Sequence, residues 1–293
     1  MLKPAPECIT CILRQVAEAC EYATGDLTLR YRALKDAIQY LNDVNVNQVN
    51  RIKIGSDLHR IVKEVTGNPD PYHELKKLSN RMALEWLFKL EEGFGNNIPF
   101  MLALRVAAAG NMIDYGAVKT VETPKTLFEK AMRTEVDSSK MEEVKHLVKE
   151  SQRVLYICDN AGEIAFDKLL VSAVQSLGAQ LTVVVRGGPI LNDATLEDAY
   201  EVGMTKLART ISTGNDFGGI ILDDSSHEFQ ETFRRSDLII SKGQGNLESL
   251  IDVKRKPTTI YIFKVKCNHI ANLLKSKMDA TGIFIQKLNS LYF

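Results

Sequence analysis

Residues 153–167, RVLYICDNAGEIAFD, contain an apolar run that stops at an Asp-Asn pair. The run does not alternate between apolar and polar residues, which is typical of a strand buried on both faces of a sheet. Asp159 and Asn160 follow it directly, and Gly162 and Glu163 open a helical stretch. The segment therefore predicts a buried strand whose carboxyl end carries oxygen-bearing side chains at a tight turn into a helix.

Four further apolar, β-branched runs follow the first one. They cover residues 181–186, 208–213, 237–241 and 258–263. Helical stretches such as residues 163–178 and 227–236 lie between them. Strands that alternate with helices at this spacing predict a mostly parallel, three-layer α/β sheet.

The chain before about residue 150 shows helical periods and no strand pattern. Gly67 is a plausible helix stop, and the prolines at positions 69 and 71 prevent easy continuation. We therefore expect an all-helical domain over residues 1–135 and an α/β domain over residues 136–293.

The overall composition argues against several classes of partner. The 293 residues contain 37 Lys plus Arg and 37 Asp plus Glu, so the formal net charge is zero and nothing favours nucleic acid. No segment reaches the roughly 18 apolar residues of a membrane span, so we expect no membrane contact. The five cysteines are an odd number and no export signal is visible, which favours free thiols and a cytoplasmic location.

Polar residues collect where the predicted strands end. Ligands of open α/β sheets bind outside the carboxyl ends of the strands. Asp159, Asn160 and Asp193 offer two carboxylates and a carbonyl oxygen, which are hard ligands suited to Mg²⁺ or Mn²⁺. Lys242 adds a positive charge, and the glycine-rich loop after it adds backbone N–H groups at a helix start. Together these groups favour phosphoryl transfer.

Each of these signals has a plainer interpretation. The Asp159-Asn160 pair could cap the following helix, residues 187–189 could be a simple turn, and Lys242 could be a surface lysine. Two other functions also stay open: an S-adenosylmethionine-dependent methyltransferase, and a non-catalytic module that binds a metal or a metabolite. The methyltransferase is disfavoured because the first turn, DNAGE, lacks a G-x-G pattern.

Several motifs together resemble one known family. They are CDNAGEIAFD, RGGPILNDAT, ISTG, SKGQGNLESL and FKVKC, with ECITCILRQ, DPYHELKKLSN and AAAGNMIDYG in the helical part. In this order they resemble the DUF89 family of metal-dependent damage-control phosphatases, in its microbial branch with an N-terminal CxxC. The resemblance implies a helical domain packed on a Rossmann-like domain, with the active site between them. It also implies hydrolysis of small phosphomonoesters, such as sugar phosphates or damaged phosphometabolites, with divalent Mg, Mn, Co or Ni.

The resemblance also assigns roles to single residues. It places the metal ligands at Asp159, Asn160 and Asp193, and the lysine that binds the substrate phosphate at Lys242. Glu163 lies in the first helical turn and is either a base or an acid favoured by the helix dipole. The candidate catalytic residues are Asp159, Lys242 and Glu163. The candidate substrate-binding residues are Asn80, Asn111, Asp114, Arg186, Gly243 and Asn246.

Cys8 and Cys11 form a CxxC pair, which suggests a metal or redox site or simply two small apolar helix residues. Cys267 and His269 could complete a zinc site, and the resemblance indicates that the three cysteines are neighbours. His59 is expected to be solvated or hydrogen-bonded on a helix face. The sequence leaves open the physiological substrate, the preferred metal, the oligomeric state and whether the nucleophile is a metal-bound water or a carboxylate.

Overall fold

A six-stranded sheet with helices on both faces organises the molecule. The computed structural model describes residues 2–46, 48–94, 98–110, 137–254 and 256–287. The strand order is β3-β2-β1-β4-β5-β6, and every neighbouring pair is parallel except β5 and β6. The predicted mostly parallel α/β fold is therefore confirmed. The predicted domain boundary at residue 135 lies outside the described residues.

Five helices lie within the described part of the first 110 residues. They are α1 (Pro6–Ala23), α2 (Leu27–Asp43), α3 (Arg51–Thr66), α4 (His73–Phe94) and α5 (Phe100–Gly110). The side chain of Asp26 accepts the backbone N–H of Thr28 at the start of α2, and Asn50 accepts that of Ile52 at the start of α3. Gly67 ends α3 in the left-handed conformation with φ 70°, as its position in the sequence predicts.

The remaining elements run from residue 138 onward and include all six strands. They are α6 (Ser138–Glu150), β1 (Arg153–Ile157), α7 (Glu163–Ser176), β2 (Gln180–Val185), α8 (Leu196–Glu201), α9 (Met204–Leu207), β3 (Arg209–Ser212), a 3₁₀ turn (Leu222–Asp224), α10 (His227–Arg235), β4 (Leu238–Lys242), α11 (Gln244–Leu250), β5 (Thr258–Lys264), α12 (Asn268–Leu273) and β6 (Thr281–Gln286). The sequence did not predict β6, which pairs antiparallel with β5 at the edge of the sheet. Within the described ranges, every helix is too short or too polar to span a lipid bilayer.

Successive residues of β1 supply the two main hydrophobic cores. Val154 and Tyr156 face one core, which α5, α6 and α7 complete, whereas Leu155 and Ile157 face the other, which α10, α11 and α12 complete. A third core belongs to α1, α2 and α3. Helices α4 and α5 pack against α7, so they share the first core with the sheet.

The strand order places a crevice at one edge of the sheet. Strand β1 lies between β2 and β4, so the chain moves outward in opposite directions from β1 and from β4. Such a reversal opens a crevice at the carboxyl ends of the two central strands, where ligands bind in folds of this class. Asp159 follows β1 at this point, and Gly243 follows β4.

Candidate active site

Two loops at the carboxyl edge of the sheet bring the predicted metal ligands together. Asn160 and Asp193 form an isolated antiparallel bridge between the loop after β1 and the loop after β2. The backbone N–H of Ala194 donates to the carbonyl oxygen of Asp159 at 2.8 Å, and that of Ala161 donates to Asn192 at 2.9 Å. These backbone bonds fix the separation of the loops.

A buried arginine orients Asp193. The Nε of Arg186 donates to Oδ2 of Asp193 at 2.7 Å, and its Nη2 donates to Oδ1 of Asn246 at 2.8 Å. The amide nitrogen of Asn246 in turn donates to the carbonyl oxygens of Cys158 and Lys242. Arg186 and Asn246 are both buried, and these bonds join three strand ends behind the carboxylate.

Burial and mutual repulsion disfavour the ionised forms of the two aspartates at this edge. Burial, followed by the charges of Glu163 and Asp193, raises the pKa of Asp159 to about 7. Burial also raises the pKa of Asp193, although the charge and hydrogen bond of Arg186 oppose the shift. A bound divalent cation would remove this repulsion, so the electrostatics fit a metal site.

The donor set also suits a hard cation. The amide nitrogen of Asn160 donates to Oδ2 of Asp159 at 3.0 Å, which leaves the amide oxygen as the atom that Asn160 can offer to a metal. Among the described residues, no three His, Cys, Asp or Glu side chains are placed to hold an ion. An ion here would therefore bind two carboxylates and the amide, with its remaining ligands from solvent or substrate, as is common for Mg²⁺.

Lys242 lies in a buried ion cluster below these carboxylates. Its Nζ contacts Oε1 of Glu163 and lies 2.7 Å from Oδ1 of Asp167, which also accepts a hydrogen bond from the hydroxyl of Tyr156. Burial lowers the pKa of Lys242, but the two carboxylates outweigh it and raise the pKa well above the usual range, so the lysine stays charged. Its side chain has no exposed surface and does not line the crevice.

Gly243 closely approaches the loop that carries the predicted metal ligands Asp159 and Asn160. Its backbone has φ 82° and ψ 154°, a region that is essentially restricted to glycine. A Cβ atom at this position would lie 2.0 Å from Oδ2 of Asp159. The N–H of Gly243 donates to the carbonyl oxygen of Ile262. The glycine therefore makes room for the carboxylate, and its own N–H is already bonded within the sheet.

Asn80 connects α4 to the start of α7. Its Oδ1 accepts the backbone N–H of Gly162 at 2.7 Å, and its Nδ2 donates to Asp198 at 3.0 Å and to Glu201 at 2.7 Å. The side chain is completely buried. The other two substrate-binding candidates of the helical part, Asn111 and Asp114, lie outside the described residues.

A cavity of about 260 Å³ separates the carboxyl edge of the sheet from α1 and α3. Asp159, Asn160 and Asp193 line its floor. Lys266, in the loop after β5, is exposed on the same wall, and its charge favours the ionised forms of both aspartates. Sequence reasoning missed Lys266 as a site residue, although its position after a parallel strand is the signal that identified the other strand ends.

Gln244 fixes the loop that carries Lys266. Its Oε1 accepts the backbone N–H of Lys266 at 2.7 Å, and its Nε2 donates to Oε1 of Glu248 at 2.7 Å. Glu248 also pairs with Arg51 of α3 across the cavity. The Arg51–Glu248 ion pair holds α3 on one side of the cavity, and the side-chain amide of Gln244 holds the loop after β5 on the other side.

One family model describes almost the whole chain. Residues 5–281 match the model of the damage-control phosphatase ARMT1-like domain. The chain belongs to this family.

Several similar proteins agree with this match over nearly their full lengths. A damage-control phosphatase from Pyrococcus horikoshii is 34% identical, over 94% of this chain and 95% of that protein. One from Archaeoglobus fulgidus is 33% identical, over 92% and 94%, and a protein from Methanocaldococcus jannaschii is 38% identical, over 92% and 91%. The crystal structure of a DUF89 family protein from Pyrococcus horikoshii superposes with a TM-score of 0.88 at 32% identity, and the alignment covers 98% of this chain and all of that one. The resemblance of the motifs to the DUF89 family is thereby confirmed.

The cysteines of this ARMT1-like chain do not form the suggested zinc site. All five thiols are free, and the described residues contain no group of three His, Cys, Asp or Glu that could hold a metal. Cys8 is buried in the first turns of α1, and the sulfur of Cys267 accepts a weak hydrogen bond from Gln244 at 3.5 Å. That Cys8, Cys11 and Cys267 are neighbours stays a prediction.

Proposed function

We propose that the protein is a divalent-metal-dependent phosphatase that hydrolyses phosphomonoesters of small metabolites, such as sugar phosphates or damaged phosphometabolites. The cavity between α1, α3 and the carboxyl edge of the sheet is the active site. One observation carries the proposal: Asp159, Asn160 and Asp193 meet at the floor of this cavity, where burial and the neighbouring carboxylates raise the pKa of Asp159 to about 7. The family, whose relatives include proteins named damage-control phosphatases, supports the same chemistry.

Asp159, Asn160 and Asp193 would hold the ion. A bound Mg²⁺, Mn²⁺, Co²⁺ or Ni²⁺ supplies charge that polarises the phosphoryl group and stabilises its transition state. Arg186 positions Asp193 through the 2.7 Å bond to Oδ2, so the carboxylate is already oriented before an ion binds. Asn246 contributes to this positioning because its Oδ1 accepts a hydrogen bond from Nη2 of Arg186.

Lys266 is the better candidate for the substrate phosphate. It is exposed in the cavity and close enough to influence both aspartates, whereas Lys242 is fully buried. An ammonium group there would neutralise the phosphate oxygens and hold the ester beside the metal ligands. Lys242 acts instead as a positioning residue, since it holds Glu163 at the first turn of α7 and compensates its buried charge.

Phosphate release tests the proposal directly. Metal-stripped protein is assayed with a panel of sugar phosphates and p-nitrophenyl phosphate, first alone and then with each of the four metals. We expect at least one metal to restore turnover. We expect Asp159→Asn to lower the metal-dependent turnover by about a hundredfold or more. Asp237→Asn is the matched control, because Asp237 precedes β4 at the amino edge of the same sheet and pairs with Arg153.

The outcomes separate the proposal from its rivals. Turnover that needs metal and Asp159, but not Asp237, supports the phosphatase. Stoichiometric metal binding by folded protein without turnover of any ester contradicts it and favours a non-catalytic binding module.

A further inference from the structure

We propose that the protein forms a two-fold symmetric dimer through the outer face of α2, with the α2 helices of the two copies packed antiparallel. The dimer is independent of the proposed phosphatase activity, because no residue of α2 lines the cavity that contains the aspartates. Three observations carry it: the spacing of the apolar residues on this face, their exposure and the charges beside them.

The apolar residues on the outer face of α2 have a heptad spacing. Leu27, Tyr31, Leu34 and Ile38 follow one another at intervals of four, three and four residues, and we call these four residues the outer seam. Leu41 continues the pattern after three more residues. Alternating steps of three and four keep a stripe in line along a helix, because they average about 3.5 residues per turn. The outer seam therefore has the spacing of the a and d positions of a coiled coil.

The outer seam is exposed although another face of α2 is already buried. Ala33 and Ala37 are completely buried in the core shared with α1 and α3. In contrast, Leu27 is 64% exposed, Tyr31 is 74% exposed and Ile38 is 56% exposed. Single apolar residues are ordinary on a protein surface, but a row of them in register marks an interaction site. Within the described part of the chain, α2 is thus apolar on two faces and covered on one.

A second copy of α2 fits the outer seam in an antiparallel orientation. In an antiparallel helix pair, each a position packs against a d position of the other helix. With the two-fold axis midway along the outer seam, Leu27 of one copy meets Ile38 of the other. In the same register, Tyr31 of one copy meets Leu34 of the other. Symmetry repeats both contacts, so every residue of the outer seam is paired and the assembly closes as a dimer.

The charges beside the outer seam favour antiparallel over parallel pairing. Arg30 and Lys35 flank the outer seam on its two sides. Parallel helices bring opposite flanks together, so Arg30 of one copy would repel Lys35 of the other. Antiparallel helices bring each flank against its own copy, so Lys35 meets the uncharged Thr28 instead. The antiparallel arrangement therefore separates the like charges that the parallel arrangement would bring together.

The interface between the two α2 helices would be short. From Leu27 to Ile38 the outer seam spans about 17 Å of helix. Leu34 also packs at the edge of the core of α1, α2 and α3, so the interface would extend that core across the two-fold axis. Since a contact of this length is at the low end of specific interfaces, we expect a reversible dimer with a Kd of about 1–100 µM.

Sedimentation equilibrium of the full chain, from about 1 to 200 µM, measures this association. Tyr31→Glu places a charge in two layers of the interface and is expected to raise Kd at least about a hundredfold. Ile38→Glu should have the same effect and is a second variant in case the first folds poorly. Phe88→Glu is the matched control and should dimerise like the wild type, because Phe88 is 61% exposed but lies on α4.

Substitutions at Thr28 test the orientation of the two helices. Thr28→Glu would pair with Lys35 of the other copy at two symmetric places and should lower Kd about threefold or more. Thr28→Lys should raise Kd by a similar factor, because it places like charges together. Parallel helices would leave Kd unchanged in both variants. They would instead dimerise more tightly with Lys35→Glu, which would then face Arg30.

The possible outcomes test the existence, the location and the orientation of the dimer. A wild type that stays monomeric over the whole concentration range overturns the dimer, and the outer seam would then serve a different protein. A dimer that survives both Tyr31→Glu and Ile38→Glu, or that Phe88→Glu dissociates equally, overturns its location on α2. Unchanged Kd in both Thr28 variants overturns the antiparallel orientation.

Two controls separate folding and activity from association. Circular dichroism of each dilute variant establishes that the monomers compared are folded. Phosphate release is measured separately, so a dimer that hydrolyses no phosphoester contradicts the proposed function and leaves the dimer standing.

Discussion

Gly243→Ala should lower the proposed metal affinity by about a hundredfold or more without unfolding the protein. The substitution adds one carbon atom at the carboxyl end of β4, where Gly243 faces the carboxylate of Asp159. The added Cβ would lie 2.0 Å from Oδ2 and 2.1 Å from Cγ of that carboxylate. Non-bonded heavy atoms normally meet at about 3.5 Å, so the carboxylate or the loop must move by about 1.5 Å.

The Gly243→Ala substitution affects both the stability of the protein and its metal affinity. An alanine held at φ 82° and ψ 154° costs about 1–3 kcal/mol of stability, which a domain of ordinary stability tolerates. The displacement matters more for function, because metal–ligand distances must stay within about 0.2 Å. Misplacing a catalytic group by about 1 Å lowers activity by roughly a hundredfold, and we expect at least this loss in metal affinity.

Titration calorimetry with Mn²⁺ measures the effect on metal-stripped protein, and urea unfolding measures the cost in stability. Gly178→Ala is the matched control, because Gly178 also has a positive φ, 99°, yet its Cβ would meet nothing within 4 Å. It should lose stability and keep its metal affinity. Wild-type affinity in Gly243→Ala, or an equal loss of affinity in Gly178→Ala, would refute the close-approach argument.

Three further changes test other parts of the site. Lys242→Met should destabilise the protein by about 3–5 kcal/mol in urea unfolding, because two buried carboxylates lose their counter-charge, and a loss below 1 kcal/mol would contradict the ion cluster. Lys266→Ala should raise KM for phosphoesters about 10- to 100-fold. Lys264→Ala is its control and should leave KM unchanged, because Lys264 forms an ion pair with Asp279 and does not line the cavity. His59 is neutral in the folded protein and protonates in the unfolded chain between about pH 4 and pH 6.5, so stability should fall by up to ~3 kcal/mol as the pH drops through this window. Urea unfolding across that window should show a shallower slope for His59→Gln, and an unchanged slope would exclude His59 as its source.

The strand pattern predicted most of the sheet because burial on both faces leaves a clear signal. Strands β1 to β5 are short apolar runs, and all of them are found at or within two residues of the predicted positions. Strand β6 was missed because TGIFIQ contains glycine and glutamine and lies at an edge, where only some of its side chains are buried. Helices α8 and α9 are separate because Gly203 takes a left-handed conformation between them.

The site was predictable where it depends on the ends of strands. Asp159, Asn160 and Asp193 meet because parallel strands present their carboxyl ends on one edge. The burial of Lys242 was not predictable, since it depends on Asp167, which α7 brings from 75 residues away. No local pattern reports a pairing of that kind.

The bond between Asn80 and Gly162 has a consequence for folding kinetics. The two residues are 82 positions apart, and the bond fixes the first turn of α7 immediately behind the proposed metal ligands Asp159 and Asn160. Closing a loop of this length is slow compared with forming a helix or a neighbouring strand pair. We therefore expect the sheet to assemble before α4 docks, and the proposed metal site to reach its final geometry only with that docking step. Metal capture would then report the completion of the fold, so a nascent or partly unfolded chain would not hold the ion.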